Sequence, residues 1–116
     1  MKIGIVGSRG FEDYESLCHE LVWFNTFHEP ITQIISGGAA GADSLGAKFA
    51  LEHNIELILY KPDWKKYGKA AGMIRNTDII KNSDFVFAFW DGKSKGTKDS
   101  IEKSKKLNIP IKVIRY

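Results

Sequence analysis

The feature that most constrains this chain is the alternation of short apolar segments with amphipathic ones along its whole length. Apolar runs predict five strands, at residues 2–6, 32–35, 56–60, 85–90 and 111–114. Helical spacing of apolar residues predicts four helices between them, at residues 14–27, from about 42, at about 69–81 and at about 98–107. Strands that alternate with helices form a mainly parallel sheet through right-handed crossovers.

Two of these strands indicate how the sheet is arranged. Residues 85–90 are continuously apolar, which is typical of a central strand covered on both faces. Residues 111–114 alternate and follow Pro110, which favours an edge strand. We therefore predict one α/β domain over residues 1–116, a Rossmann-like three-layer α/β/α sandwich. Its mostly parallel five-stranded sheet is expected in the order 3-2-1-4-5.

Composition excludes several classes of protein. The single cysteine, Cys18, rules out an internal disulfide and a cysteine-cluster metal site. His19, His28 and His53 have no metal-ligand spacing, so we predict no metal. No apolar run approaches the roughly 20 residues of a membrane span, and no signal-peptide pattern is present. We expect a cytoplasmic protein without a membrane partner.

The net charge of +3 is compatible with an anionic ligand and only weakly indicates nucleic acid. The lysines are concentrated in the C-terminal two thirds of the chain, where acidic residues are interspersed with them. Solvated helix faces and loops are the favoured interpretation of these lysines, with a nucleic-acid surface as the alternative.

Three glycine-rich loops follow the first, second and fourth predicted strands, at residues 7–11, 36–43 and 91–97. Carboxyl ends of parallel strands meet at one edge of the sheet, where ligands bind. Without a Cβ atom, glycine lets backbone N–H groups approach phosphate oxygens, and the helices that follow add favourable dipoles. Neither the Walker pattern nor the dinucleotide-binding fingerprint is present, so both common nucleotide motifs are excluded.

The ordered motifs resemble a known family. They are Gly7-Ser8-Arg9, Ser36-Gly37-Gly38-x-x-Gly41-x-Asp43, Asp63-Trp64, Tyr67-Gly68-Lys69-Ala70-Ala71-Gly72, Arg75-Asn76 and Gly96-Thr97. Together they resemble the SLOG superfamily, and most of all its small single-domain YspA-like branch. The resemblance implies a Rossmann-like fold and a site for a nucleotide-derived ligand such as an ADP-ribose-like molecule. The superfamily includes the Lonely Guy phosphoribohydrolases and the DNA-processing protein A, which binds single-stranded DNA.

These motifs define the predicted site. Its ligand-binding residues are Gly7, Ser8, Arg9, Phe11, Ser36, Gly37, Gly38, Gly41, Ala42, Asp43, Trp64, Tyr67, Gly72, Arg75, Asn76, Gly96 and Thr97.

We assign each group of these residues a part of the ligand. Arg9, with Arg75 as an additional candidate, and the N–H groups of Gly37, Gly38 and Gly96 are predicted to hold phosphate. Asp43 and Asn76 are predicted to bind ribose, and Trp64 or Tyr67 to stack on the base. Three of these residues also have a purely structural interpretation. Asp43 could stabilise the start of a helix, Arg75 could be an ordinary solvated arginine, and Thr97 could be a helix N-cap. The favoured function is binding or sensing of a phosphorylated nucleotide.

Two other functions remain open. A nucleotide N-glycosidase would need an acid or base at the sugar, for which Asp43 and Asp99 are the local candidates. Arg75 is a further catalytic candidate. The glutamate that follows Gly-Thr in Lonely Guy enzymes is missing here, because Lys98, Asp99 and Ser100 follow Thr97. A single-stranded nucleic-acid-binding module is the third alternative.

The first helix predicts a partner surface. Tyr14, Leu17, Cys18, Leu21 and Val22 are expected on its core face. Trp23 and Phe27 fall on the opposite face, where large aromatic side chains favour a homodimer through this helix.

Overall fold

Five parallel strands form the centre of the fold in the computed structural model, which describes residues 1–116. The strands are β1 (Lys2–Gly7), β2 (Gln33–Ser36), β3 (Glu56–Leu59), β4 (Phe85–Trp90) and β5 (Ile111–Arg115). Their order is β3-β2-β1-β4-β5 and all four pairings are parallel, which confirms the predicted topology. In register, Ile3 of β1 lies between Ile34 of β2 and Phe85 of β4.

Five α-helices cover the two faces of the sheet. They are α1 (Tyr14–Phe27), α2 (Ala42–Glu52), α3 (Trp64–Tyr67), α4 (Ala71–Lys81) and α5 (Lys95–Lys106), with a 3-10 turn at Gly68–Ala70. One core lies between the sheet and α1 with α2, and is centred on Ile5, Leu21 and Phe49. The other lies under α4 and α5, around Val86 and Ile80. Alternation of side chains along each strand supplies both cores, which gives the predicted three layers.

The last helix begins three residues earlier than predicted. Ser94 is its N-cap, and its Oγ accepts a hydrogen bond from the N–H of Thr97 at 3.3 Å. The prediction that Thr97 caps this helix is therefore wrong, since Thr97 lies inside the first turn. Glycine at position 96 indicated a loop, but its φ is not positive and it lies in the first turn of the helix.

The segment between β3 and α4 is more helical than predicted. Asp63 caps the four-residue α3 by accepting the N–H of Lys66 at 3.1 Å. A single turn leaves no apolar periodicity in the sequence, so it could not be detected there. No helix of the chain is both long enough and apolar enough to cross a bilayer.

Helix α1 buries a narrower face than predicted. Leu17, Leu21 and Phe24 are buried, but Val22 is exposed and Cys18 is only half-buried. Placing Val22 on the core face was therefore wrong. Trp23 and Phe27 are 52% and 71% exposed, with ring centroids 5.7 Å apart, as expected for the outward face.

Candidate functional site at the carboxyl edge of the sheet

A cavity of about 380 Å³ lies at the carboxyl edge of the sheet, between the ends of β1 and β4. We call it the inner cavity. The order of the strands reverses between β1 and β4, and this switch point is where ligands bind in open α/β sheets. From the predicted site, Gly7, Ser8 and Arg9 line it on the β1 side, and Gly96 and Thr97 on the β4 side. The position of this cavity follows from the topology. The connections that follow β1 and β4 run towards opposite edges of the sheet and leave a space between them.

A second cavity of about 600 Å³ adjoins the first on the side of β2 and β3. We call it the outer cavity. The two share five lining residues, which are Arg9, Ala39, Arg75, Asn76 and Gly96. Gly37, Gly38, Trp64 and Gly72 also line the outer cavity, so most of the predicted site lies along one continuous cleft.

Arg75 crosses from α4 to the loop after β2. Its Nη1 donates to the carbonyl oxygen of Gly37 at 3.0 Å, and its Nε donates to Oδ1 of Asn76 at 3.0 Å. A Cβ atom at position 37 would collide with Nη1 of Arg75 and lie 2.8 Å from Oδ2 of Asp43. A side chain at position 37 would therefore displace the guanidinium and the carboxylate from the loop.

Asn76 holds α4 to the start of α5. Its Nδ2 donates to the carbonyl oxygen of Gly96 at 3.3 Å and to Oδ2 of Asp99 at 3.4 Å. Because its Oδ1 already accepts from Arg75, both ends of this buried amide are engaged within the protein. The amide therefore positions Arg75 and the first turn of α5.

Asp43 is a buried carboxyl group that borders the inner cavity and is 6% exposed. Burial raises its pKa from the ordinary value of 3.8 to about 6, although hydrogen bonds from the Ala39 and Gly37 N–H groups and the charges of Arg75 and Arg9 oppose this. Asp43 and Arg75 do not form an ion pair, since only two ion pairs occur in the chain, and both lie elsewhere. The carboxyl group changes its charge close to neutral pH.

The glycine loop after β2 wraps around this carboxyl group instead of leaving its donors open. Oδ2 of Asp43 accepts the N–H of Ala39 at 3.2 Å, and the N–H of Gly38 points to Ser36 Oγ at 3.4 Å. The prediction that the Gly37 and Gly38 N–H groups hold phosphate is therefore not supported, because both have partners within the protein.

The N-terminal turn of α5 keeps its donors available. The N–H groups of Lys95 and Gly96 have no partner in the fold, as is usual for the first turn of a helix. A Cβ atom at position 96 would meet nothing within 4 Å, and the backbone φ there is not positive. Neither packing nor backbone geometry requires glycine at this position, which borders both cavities.

Five predicted ligand residues line neither cavity, and they are Phe11, Ser36, Gly41, Ala42 and Tyr67. Phe11 is 2% exposed and stacks on Phe89 with ring centroids 4.6 Å apart, so it belongs to the core. The Ser36 hydroxyl donates to the Asp43 carbonyl oxygen at 3.0 Å. Gly41 has a φ of 81° and lies against the backbone of Ser8 and Arg9, so its role is structural.

The remaining two of these five differ in burial. Ala42 is fully buried at the start of α2, whereas Tyr67 is exposed at the end of α3. Neither side chain borders the cleft, so the prediction that they contact the ligand is not supported.

Several cleft residues were missed by sequence reasoning. Asp91 lines the inner cavity, where its Oδ1 accepts the N–H groups of Lys93 and Ser94 at 2.8 Å each. These hydrogen bonds, with that from Ser94 the strongest influence, lower the pKa of Asp91. Lys61 and Lys69 line the outer cavity, although the sequence indicated solvated lysines. The position of Asp91 in a loop that follows a central strand was the available signal.

Asp99 lies outside both cavities. Its Oδ2 pairs with Nζ of Lys103 at 2.9 Å, one helical turn further along α5. Of the two candidate carboxyl groups, Asp43 and Asp99, only Asp43 borders the cleft, so it is the nearer to any ligand there.

Fold and cleft together define a Rossmann-like domain with a ligand-sized cleft at its switch point. A model of the YspA, cpYpsA-related SLOG family matches residues 1–67. The chain is also 30% identical over 121 residues to the Gene 61 protein of Mycobacterium phage D29, covering 95% of this chain and 93% of that protein. The chain therefore belongs to the YspA, cpYpsA-related SLOG family.

A solved structure shares the fold. It is that of DNA processing protein A from Helicobacter pylori, described for a single-stranded DNA binding mode, with a TM-score of 0.74 and 23% identity. The match covers 97% of this chain but only 64% of that one, so the present chain spans less than two thirds of its length. At this identity the likeness establishes the fold.

Proposed function

We propose that this protein binds a phosphorylated nucleotide or nucleotide-derived ligand, such as an ADP-ribose-like molecule, in the cleft formed by the two cavities. One observation carries the proposal. Arg9 and Arg75 border the cavity at the switch point beside the open first turn of α5, and neither forms an ion pair. Guanidinium groups without an ion pair and free helix N–H groups together favour a phosphate group.

The rest of the ligand is assigned by chemistry. The carboxylate of Asp43 suits a ribose hydroxyl, which donates hydrogen bonds. Trp64 is 56% exposed, and its ring edge contacts the position of Gly72, so a base can stack on its open face. Asn76 acts in this proposal as a positioning residue for Arg75.

Thermal shift with a ligand panel tests the proposal, using AMP, ADP, ADP-ribose, NAD and a cyclic dinucleotide. A ligand at about 100 times its dissociation constant adds about 2.7 kcal/mol, which raises Tm by several degrees in a domain of this size. The Arg9→Ala variant should lose the shift, whereas Lys106→Ala, which removes an exposed charge from the far end of α5, should retain it. Equal shifts in both variants, or none with any nucleotide, would contradict the proposal.

Single-stranded nucleic acid is a second candidate ligand, favoured by the surface around α3. Trp64 and Tyr67 are exposed there among four lysines, Lys61, Lys65, Lys66 and Lys69. Aromatic platforms and cationic grooves are the usual means of binding single strands. Affinity for an oligo-dT strand that falls steeply with salt and survives Arg9→Ala would support this candidate.

An N-glycosidase activity rests on Asp43, whose pKa of about 6 suits acid–base chemistry near neutral pH. Chromatography of nucleotide incubations for released free base measures this activity directly. Release that is lost in Asp43→Asn would establish it, and the absence of any release would exclude it for the nucleotides tried.

The outward face of α1 is proposed as a homodimer contact. Trp23 and Phe27, with Val22, border an apolar groove of about 600 Å³. Sedimentation of the native chain should give a dimer that Trp23→Ala with Phe27→Ala converts to monomer. A native chain that sediments as a monomer would refute the contact.

A further inference from the structure

The two cavities differ in charge although they share a wall. The inner cavity is lined by Arg9 and Arg75 and by two carboxyl groups, Asp43 and Asp91. The outer cavity is lined by four cations and no carboxyl group, and the cations are Arg9, Lys61, Lys69 and Arg75. A neutral or singly charged group in the outer cavity would leave most of this positive charge unmatched.

None of these four cations forms an ion pair within the protein. The two ion pairs of the chain are Lys103 with Asp99 and Lys112 with Glu20, and both lie away from the outer cavity. The nearest acidic residue in sequence, Asp63, does not line the cavity, and its carboxylate caps α3 by accepting the N–H of Lys66. Like charges gathered around one cavity repel each other unless an anion lies between them.

Lys61 lies at the opposite end of the cleft from the first turn of α5. Lys61 follows β3, and α5 follows β4, with β2 and β1 between them. Strands lie about 4.8 Å apart, so the ends of β3 and β4 are about 14 Å apart. Arg9 and Arg75 occupy the middle of this span, as the shared wall of the two cavities.

We propose that the ligand carries a second phosphate group, separate from the first, which Lys61 and Lys69 hold in the outer cavity. This inference rests on the proposed nucleotide function and narrows the ligand to a nucleoside bisphosphate or a nucleotide phosphorylated on its ribose. The 2′- and 3′-oxygens lie on the face of the ribose opposite the base and C5′. A phosphate on either oxygen is therefore held apart from a 5′-phosphate at α5.

The first part of the test compares ligands at fixed ionic strength by calorimetric titration. The probes are AMP, ADP, adenosine 2′,5′-bisphosphate and adenosine 3′,5′-bisphosphate. One of the two bisphosphates should bind roughly tenfold to a hundredfold tighter than AMP, as expected for added hydrogen bonds between charged groups. It should also bind tighter than ADP, whose two phosphates are adjacent. ADP as the tightest ligand would overturn the inference.

The second part compares two double variants that each remove two exposed lysines. Lys61→Ala with Lys69→Ala should abolish the advantage of the bisphosphate and change the affinity for AMP by less than about twofold. Lys105→Ala with Lys106→Ala, at the end of α5 and outside both cavities, should keep the advantage. Equal losses in both double variants would overturn the inference, because general charge would then explain the effect.

The remaining outcomes separate the inference from the proposed function. If AMP binds and neither bisphosphate is favoured, the second phosphate site is wrong and nucleotide binding stands. If no nucleotide binds, both fail. If only an oligo-dT strand binds, and it requires Lys61 and Lys69, the outer cavity belongs to a nucleic-acid surface and the inference is overturned.

Discussion

Replacing Asp43 by asparagine should stabilise the protein at neutral pH and have little effect in acid. The carboxyl group is 6% exposed, and burial raises its pKa from 3.8 to about 6. Between these two pH values the unfolded chain has released the proton and the folded chain still holds it. The free energy of unfolding therefore decreases as pH rises through this window.

The two pKa values fix the size of the effect. At 1.36 kcal/mol for each unit of difference in pKa, the native protein loses about 3 kcal/mol between pH 3.8 and about 6. Above that window both states are ionised, and the loss is complete. The amide that replaces the carboxyl group cannot ionise. The free energy of unfolding of the variant, relative to that of native protein, should therefore rise by about 3 kcal/mol from acid to neutral pH.

Urea unfolding monitored by tryptophan fluorescence measures this difference at about pH 4.5 and about pH 7.5. About 2 of the 3 kcal/mol should appear between these two pH values, because the unfolded chain is already largely ionised at pH 4.5. Glu102→Gln is the control, because it removes a carboxyl group of α5 that is exposed to water. A difference between Asp43→Asn and native protein that is the same at both pH values would contradict a raised pKa of Asp43 in the folded state. So would a variant that is less stable than native protein only at neutral pH.

Three further substitutions have defined outcomes. Gly96→Ala should leave Tm unchanged or raise it, because a Cβ atom there meets nothing and alanine favours helix by up to about 1 kcal/mol. The same variant should bind nucleotide more weakly in titration. Phe11→Ala should cost about 3–5 kcal/mol in urea unfolding, because its ring is buried against Phe89, and a cost below about 1 kcal/mol would contradict its place in the core. Ser94→Ala should cost about 1 kcal/mol by the same assay, whereas Thr97→Val should cost less if Ser94 is the N-cap.

The fold could be predicted from the sequence because the hydrophobic patterns that indicate it extend over whole segments. The continuous apolar run of β4 and the alternation in β5 distinguish a central strand from an edge strand, and they depend on no single contact. The order of the strands is the usual one for doubly wound sheets, in which the glycine loops lie at the switch point.

The cleft could be predicted only in part, because its details depend on where individual side chains point. Phe11 follows a glycine loop, yet its ring turns into the core. Lys61 and Lys69 resemble ordinary surface lysines until β3 and the 3-10 turn bring them to one cavity. The Asp43 carboxyl group takes the loop donors that sequence reasoning assigned to phosphate, a contact between residues four apart that no periodicity reveals.

A nucleotide site at the switch point is tested most directly by mapping AMP binding with two-dimensional NMR of the 15N-labelled chain. We expect the largest amide shifts at Lys95 and Gly96 in the first turn of α5, with smaller ones at Ser8 and Arg9 after β1. The amides of α1 should not move. Shifts confined to α1 or to the lysines of α3, or no shifts at all, would contradict a nucleotide site at the switch point.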